Sequence, residues 1–185
     1  MPQICSEGWL EHTERICSPN AGERPDVNDI SLLVIHNISL PPGQFGGGYV
    51  QQFFTNRLSS EAHPYFAEIA DLKVSAHLLI ERSGHLIQFV PFTKRAWHAG
   101  VSRFAERDNC NDFSIGIELE GSDDIPYTSE QYEVLCAVTQ SLLQQYPRIT
   151  PERITGHSDI APGRKTDPGP AFDWTFFRQR LQQFS

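Results

Sequence analysis

Between Thr155 and Trp174 the chain reads TGHSDIAPGRKTDPGPAFDW, which sets His157 and Asp167 ten positions apart and Lys165 two residues before the aspartate. Pro162, Pro168 and Pro170, with Pro151 upstream, and Gly156, Gly163 and Gly169 exclude a continuous helix here. The segment is a stiff polar loop, and such loops commonly present side chains for chemistry. A histidine and a carboxylate held on it, beside a lysine, are reagents for metal-assisted chemistry. The same residues also fit a Pro-rich surface turn whose charges face water. One His with one Asp does not separate the two.

Two other positions could join this loop. The run LLVIHN over 32–37 reads as a buried strand, with Leu32, Val34 and His36 on one side and Leu33, Ile35 and Asn37 on the other. His36 falls at its end, next to the Gly-rich loop SLPPGQFGGG, where sheet proteins place their sites. A lone His there is equally at home as a hydrogen-bonded core residue. The run FSIGIELEG alternates, with Phe113, Ile115, Ile117 and Leu119 on one face and Ser114, Gly116, Glu118 and Glu120 on the other. It fits an edge strand wetted on its polar face. It also fits the floor of a cleft, since Ser114 and Gly116 leave space in front of Glu118.

The elements that must position these residues follow from periodicity and turn chemistry. Residues 1–28 are polar and aperiodic, and are expected to form an N-terminal arm. Residues 49–59 and 64–72 suggest short helices interrupted near His63-Pro64. Residues 73–91 predict a hairpin turning at Ser83-Gly84, with His77 in its first strand and His85 exposed at the turn. Thr128 and Gln131 form a capping box ahead of Tyr132, Leu135, Val138, Leu142 and Tyr146 at helical spacing, and Pro147 ends that helix. A brief strand near Ile154 delivers His157. Asp173 caps a last helix over 174–183, with Trp174, Phe177 and Leu181 inward. No repeat or linker divides the chain, so residues 29–185 are expected to be one domain.

The chain has 185 residues, 39% hydrophobic and 21% charged, as an ordinary globular domain does. A formal net charge of -8 argues against bulk electrostatic binding to nucleic acid or an anionic membrane. No signal-peptide pattern opens the chain, and no stretch approaches the roughly 20 apolar residues of a membrane span, so a cytoplasmic location is expected. Cys5, Cys17, Cys110 and Cys136 show no C-x-x-C spacing and are expected to be free thiols.

Taken together, LLVIHNISLPPGQFGGG, VSAHLLI, FVPFTKRAWHAG, CNDFSIGIELEG and TGHSDIAPGRKTDPGPAFDW resemble the N-acetylmuramoyl-L-alanine amidases, in particular the cytoplasmic branch acting on 1,6-anhydro-N-acetylmuramyl peptides. That group shares its fold with peptidoglycan recognition proteins and phage lysozyme-amidases. The resemblance runs from about Trp9 to the final helix. It implies an α/β fold: a single domain with a mixed central β-sheet flanked by helices and a zinc site at one edge of the sheet.

It further implies one zinc ion per chain on His36, His157 and Asp167, the aspartate standing where recognition proteins carry cysteine. Three protein ligands with a fourth position left open is the arrangement of catalytic zinc. Glu118 corresponds to the family's acid/base residue, and Lys165 is placed to stabilise the developing oxyanion.

Asn37 matches a substrate-contact position, and Ala96, Trp97 and His98 would line the sugar or lactyl side. Where the family has arginines gripping the peptide carboxylates, this chain has Lys73 and Asn109, with Arg107 nearby. Lys73 keeps the charge but loses the bidentate fork. His63, His77 and His85 are left as structural or surface residues.

The implied activity is hydrolysis of the amide between the lactyl group of (1,6-anhydro-)N-acetylmuramic acid and L-alanine during peptidoglycan recycling, with an indirect effect on β-lactamase induction. The implied partner is a small muropeptide, with no nucleic acid and no membrane, and the protein acts as a monomer. A non-catalytic muropeptide-binding module on the same scaffold is the alternative. A secreted lysin shares the chemistry but would need export and a more cationic surface.

Overall fold

Unbroken β-branched and apolar runs form strands that are covered on both faces. The two longest such runs lie side by side in the middle of the sheet. The computed structural model describes residues 2–183; Met1, at the start of the expected arm, and residues 184–185, at the end of the expected domain, lie outside them.

In chain order the elements are β1 (Glu14–Arg15), β2 (Ala21–Glu23), β3 (Leu32–Ile38), α1 (Tyr49–Phe54), α2 (Phe66–Ile69), β4 (Leu78–Ile80), β5 (Leu86–Gln88) and β6 (Lys94–Ala96). Then come β7 (Arg103–Phe104), β8 (Arg107–Asp108), β9 (Ser114–Glu120), α3 (Ser129–Gln145), β10 (Ile154–Gly156), α4 (His157–Ile160) and α5 (Trp174–Gln182). The main sheet has the order β1-β5-β4-β9-β3-β10. It is mixed: β4, β9, β3 and β10 run parallel, β5 is antiparallel to β4, and β1 is parallel to β5.

One face of the sheet holds the main core. Leu33 and Ile35 of β3, Ile115, Ile117 and Leu119 of β9, and Leu78 and Ile80 of β4 pack in one cluster with Leu135, Val138 and Leu142 of α3 and Phe177 and Leu181 of α5. Each such side chain contributes about 1.5–3 kcal/mol by leaving water. α3 starts as its sequence predicts: Thr128 Oγ1 accepts from Gln131 N at 3.1 Å, and Gln131 Oε1 accepts from Thr128 N at 3.2 Å. The fully buried Gln131 also donates to the carbonyls of Ile80 and Glu120, tying the helix start to two strands.

β9 is central rather than an edge strand, and every one of its residues is buried. Its alternation begins one residue later than expected. Phe113 follows a 3-10 turn over 110–112 with φ -128° and ψ 8°, and packs with Leu32, Val34 and Cys110 on the other face from Ile115.

Within the polar first 28 residues, β1 pairs with β5, β2 pairs with β6, and Leu10 is fully buried with its N–H donating to Gln88 Oε1 at 2.7 Å. Arg24 donates to the carbonyls of Phe92, Asn111, Asp112 and Ser114. Burial lowers its pKa to about 10, so the guanidinium stays cationic at neutral pH inside a cage of carbonyl dipoles. These residues are held by hydrogen bonds to the domain, which leave no apolar period in the sequence.

Candidate metal centre and substrate cleft

Parallel strands that end on one side of a sheet leave a crevice beyond their carboxyl ends, where α/β proteins place ligands. His36 lies near the end of β3, and its register partner on β9 is Glu118. β10 runs parallel to β3 and leads directly into α4, whose first residue is His157. Gly156, the last residue of β10, permits the final approach: a Cβ there would meet Pro168 Cδ at 2.8 Å. The loop carrying Asp167 therefore packs directly against the strand end.

Three ligand atoms converge. His36 Nδ1 and His157 Nδ1 are 3.0 Å apart, and Asp167 Oδ2 is 3.1 Å from each. Among the described residues this is the trio of His, Cys, Asp or Glu side chains able to hold a metal ion. Tetrahedral bonds of about 2.0–2.1 Å place neighbouring ligand atoms about 3.3 Å apart, close to the triangle observed. Two imidazole lone pairs and a carboxylate aimed at one point repel unless a cation stands between them. The donor set fits a divalent metal.

The outer nitrogens are also held. His157 Nε2 lies 3.1 Å from Ala99 O, which can only accept, so Nε2 carries the proton and Nδ1 keeps its lone pair. Arg164 donates to the same carbonyl at 2.6 Å and to Val101 O at 2.8 Å. Burial pushes the His36 imidazole down to about 4, against the pull of Asp167, so it is neutral at physiological pH. Burial would raise the Asp167 carboxyl, but the two imidazoles set against it outweigh burial and hold the group below its ordinary range.

Glu118 is 8% exposed, and its Oε2 is buried without a hydrogen-bond partner. Burial and then the Asp167 charge raise its pKa well above the ordinary value, while Lys165 opposes. A bound divalent cation would act in the same sense as Lys165. Lys165 is exposed on the loop and lines the same cleft as Glu118, His157 and Asp167. The cleft holds about 350 Å³, and part of its lining is apolar, with Phe54, Tyr65, Ile69, Leu72 and Trp97.

The residues expected at the substrate divide into two groups. Asn37, Trp97 and His98 line the cleft; Lys73, Ala96 and Arg107 do not. Ala96 is fully buried in β6 opposite Ala21. Arg107 pairs with Asp29 and lies 3.9 Å above the Phe113 ring, which occupies its guanidinium. Lys73 is exposed, outside the lining. Asn37 Nδ2 donates to Asp123 Oδ1 at 2.8 Å and to Pro168 O at 3.1 Å, so its amide N–H groups brace the loop beside Asp167. The space in front of Ser114 and Gly116 is filled by the His98 ring. Arg164, Asp123 and the Ala99 carbonyl support the centre, and nothing local in the sequence marks them.

Residues 26–170 match the N-acetylmuramoyl-L-alanine amidase family. The chain is 58% identical over 175 residues to the 1,6-anhydro-N-acetylmuramyl-L-alanine amidase AmpD of Escherichia coli (strain K12), covering 95% of each. It superposes on a crystal structure of a selenomethionine derivative of AmpD with a TM-score of 0.93 at 56% identity, over 97% of this chain and 99% of that one. A crystal structure of AmpDh3 from Pseudomonas aeruginosa in complex with anhydromuramic pentapeptide is similar at a TM-score of 0.65 and 31% identity, over 84% of this chain and 61% of that one.

Proposed function

Because the chain belongs to the N-acetylmuramoyl-L-alanine amidase family, we propose that it hydrolyses the amide joining the lactyl group of 1,6-anhydro-N-acetylmuramic acid to the L-alanine of a stem peptide. The observation that carries this reading is the triangle of His36, His157 and Asp167 with the unpartnered Glu118 carboxylate in the same cleft. A scaffold that only bound muropeptides would have no use for a buried, unsatisfied acid, whose desolvation costs stability. The enzyme reading is therefore favoured over the binding module.

His36, His157 and Asp167 would hold one zinc ion, two neutral imidazoles and a carboxylate being a catalytic donor set. When bound, zinc supplies Lewis acidity to the substrate carbonyl and lowers the pKa of a water toward about 7. Glu118 Oε2 takes a proton from the water that attacks the carbonyl carbon. As the carbon–nitrogen bond breaks, Glu118 returns that proton to the departing alanine nitrogen, so atoms and charge balance. Lys165 stabilises the oxyanion in between, a contribution worth on the order of 10²–10³ in rate. The apolar side chains lining the cleft, Trp97 and Leu72 among them, suit the face of the sugar and the lactyl methyl. The water-facing Lys165 offers a positive charge to an anionic substrate despite the net charge of -8.

The biological setting proposed is recycling of wall fragments in the cytoplasm, by a monomer, with muropeptide removal lowering the signal that induces β-lactamase. No helix among the described residues is long and apolar enough to cross a membrane. Mass spectrometry after incubation with 1,6-anhydromuramyl tripeptide tests the activity. Free tripeptide and anhydro-sugar, lost on chelation and restored by zinc, are expected. Intact substrate in the presence of bound zinc would overturn the hydrolytic reading.

A further inference from the structure

Gly116 sits in the middle of a central strand, where glycine weakens pairing and adds nothing to the core. Its neighbour explains it. A Cβ at Gly116 would meet His98 Cγ at 2.4 Å and Nδ1 at 2.5 Å, so the missing side chain is the seat of the His98 ring. That ring stands nearly perpendicular to His36, at 86° and 4.9 Å between centroids. Its Nδ1 is 2.9 Å from His36 Nε2, and its Nε2 is 3.1 Å from Ser114 Oγ. The next residue, Ala99, offers the carbonyl that meets His157 Nε2 at 3.1 Å. The backbone of both residues is pinned by one side chain: Asn111 Oδ1 accepts from His98 N at 3.1 Å and from Ala99 N at 2.8 Å.

We propose that His98 and the Ala99 carbonyl form a single buttress that fixes both histidine ligands with Nε2 protonated and Nδ1 bare toward the metal. His98 is thus a positioning residue and makes no required contact with substrate. The inference rests on the zinc reading of the preceding subsection. The tautomers follow in sequence. A metal on His36 Nδ1 leaves the ring proton on Nε2, which donates to His98 Nδ1. His98 Nδ1 must then be bare, and its own proton on Nε2 donates to Ser114 Oγ. Either ring in the opposite tautomer would set two donors or two lone pairs face to face in a dry site, at the cost of a lost buried hydrogen bond.

Two substitutions separate positioning from packing. Asparagine at 98 puts Oδ1 roughly where Nδ1 stood and keeps an acceptor for His36, whereas leucine fills similar space without one. Zinc affinity, measured by chelator competition on the full chain, is expected to fall about 10–100-fold in His98→Leu and to stay within about threefold in His98→Asn. Melting of the metal-free forms, run alongside, reports packing separately from affinity. If His98→Leu does not fold, Ser114→Ala replaces it; loss of the acceptor that orients His98 should weaken zinc binding while His98→Asn does not.

Long-range ¹H–¹⁵N NMR of the zinc-loaded wild type is expected to show both His36 and His98 protonated on Nε2. Equal zinc affinity in the leucine and asparagine variants, or His98 protonated on Nδ1, would overturn the proposal. A His36→Ala protein that binds zinc as well as wild type would instead overturn the underlying ligand reading.

Discussion

His36 and Glu118 are register partners across the parallel β3–β9 pair, so the candidate ligand and the candidate acid/base project from the same face of adjacent central strands. The sheet fixes their separation, and no loop has to close to bring them together. Glu118→Gln keeps the shape and removes the proton acceptor. Its kcat should fall about 10²–10⁴-fold with zinc content unchanged, which steady-state kinetics and metal analysis would check together; near-normal turnover would remove Glu118 from the mechanism.

The same change should stabilise the metal-free protein. Burial first, then the Asp167 charge, raises the Glu118 pKa in the folded state above the ordinary 4.5. A group raised on folding binds more protons folded than unfolded, so its contribution is present below about pH 4.5 and is lost as pH rises through the folded value. As pH rises above about 4.5 the unfolded chain releases this proton before the folded chain does, a penalty on the fold that glutamine does not carry. Denaturant midpoints at pH 7 should therefore be higher for Glu118→Gln than for wild type, with both chelated. An equal or lower midpoint counts against the buried-charge account.

Much of this arrangement is legible in the sequence, and the parts that are not share a cause. α3 was readable because its apolar spacing and its Thr128–Gln131 box agree. β3 and the hairpin were readable for the same reason. β9 left edge strand and cleft floor open because its polar face is covered by groups distant in sequence. His98 fills the space over Ser114 and Gly116, and Glu120 accepts from the backbone N–H groups of Gly46 and Arg82. Alternation reports which residues share a face, not what covers it. Ala96, Trp97 and His98 form one motif but meet different surroundings: Ala96 a buried strand position, Trp97 the cleft, and His98 both the cleft and the back of His36. Neighbours in a short irregular segment carry no period from which those directions could be read.

Metal binding should be linked to folding, because the three ligand atoms come from β3, α4 and the loop after it, and meet only in the folded chain. Zinc at about 100 times its Kd should add about 2.7 kcal/mol. For a domain of this size, that is a rise in Tm of about 5–10 °C. Calorimetry with zinc and with chelator measures it. His157→Ala and Asp167→Ala should abolish most of the rise, and an undiminished rise in both variants would place the ion elsewhere.

Gly169 bears on the centre without touching it. Its φ is +77°, and a Cβ would lie 2.3 Å from Asp123 Cα, in a backbone that also donates Ala171 N to Asp123 O at 2.9 Å. Alanine cannot enter without separating the 167–170 loop from the Asp123 segment that Asn37 also grips. Gly169→Ala should cost about 1–3 kcal/mol from strain and should weaken zinc binding as Asp167 is displaced. The affinity loss distinguishes this from simple destabilisation, because melting of the metal-free form alone would not reveal it.

His77 offers a pH dependence separate from the centre. It is fully buried, its Nδ1 accepts from Gly116 N at 3.0 Å, and its Nε2 lies 3.0 Å from Lys94 O. An Nδ1 that accepts leaves the neutral ring's proton on Nε2, donated to that carbonyl. Burial, then the neighbouring Arg24 charge, lowers its pKa from 6.5 to about 3. Because the folded value lies below the unfolded one, the unfolded chain takes up a proton first as pH falls. The stabilisation is complete above pH 6.5 and is lost progressively down to about 3. Its size is on the order of 5 kcal/mol at most, from about 1.4 kcal/mol per unit. Arg24 from the first 28 residues lies at Nε2 and the Gly116 N–H from β9 points at Nδ1, so a second proton, added at Nδ1, would meet a donor instead of an acceptor. Metal-free His77→Gln should therefore lose less stability than wild type between pH 7 and pH 4, although it starts lower at pH 7. Urea titrations at both values give the two slopes, and parallel slopes would mean that the fold does not hold His77 in its neutral state.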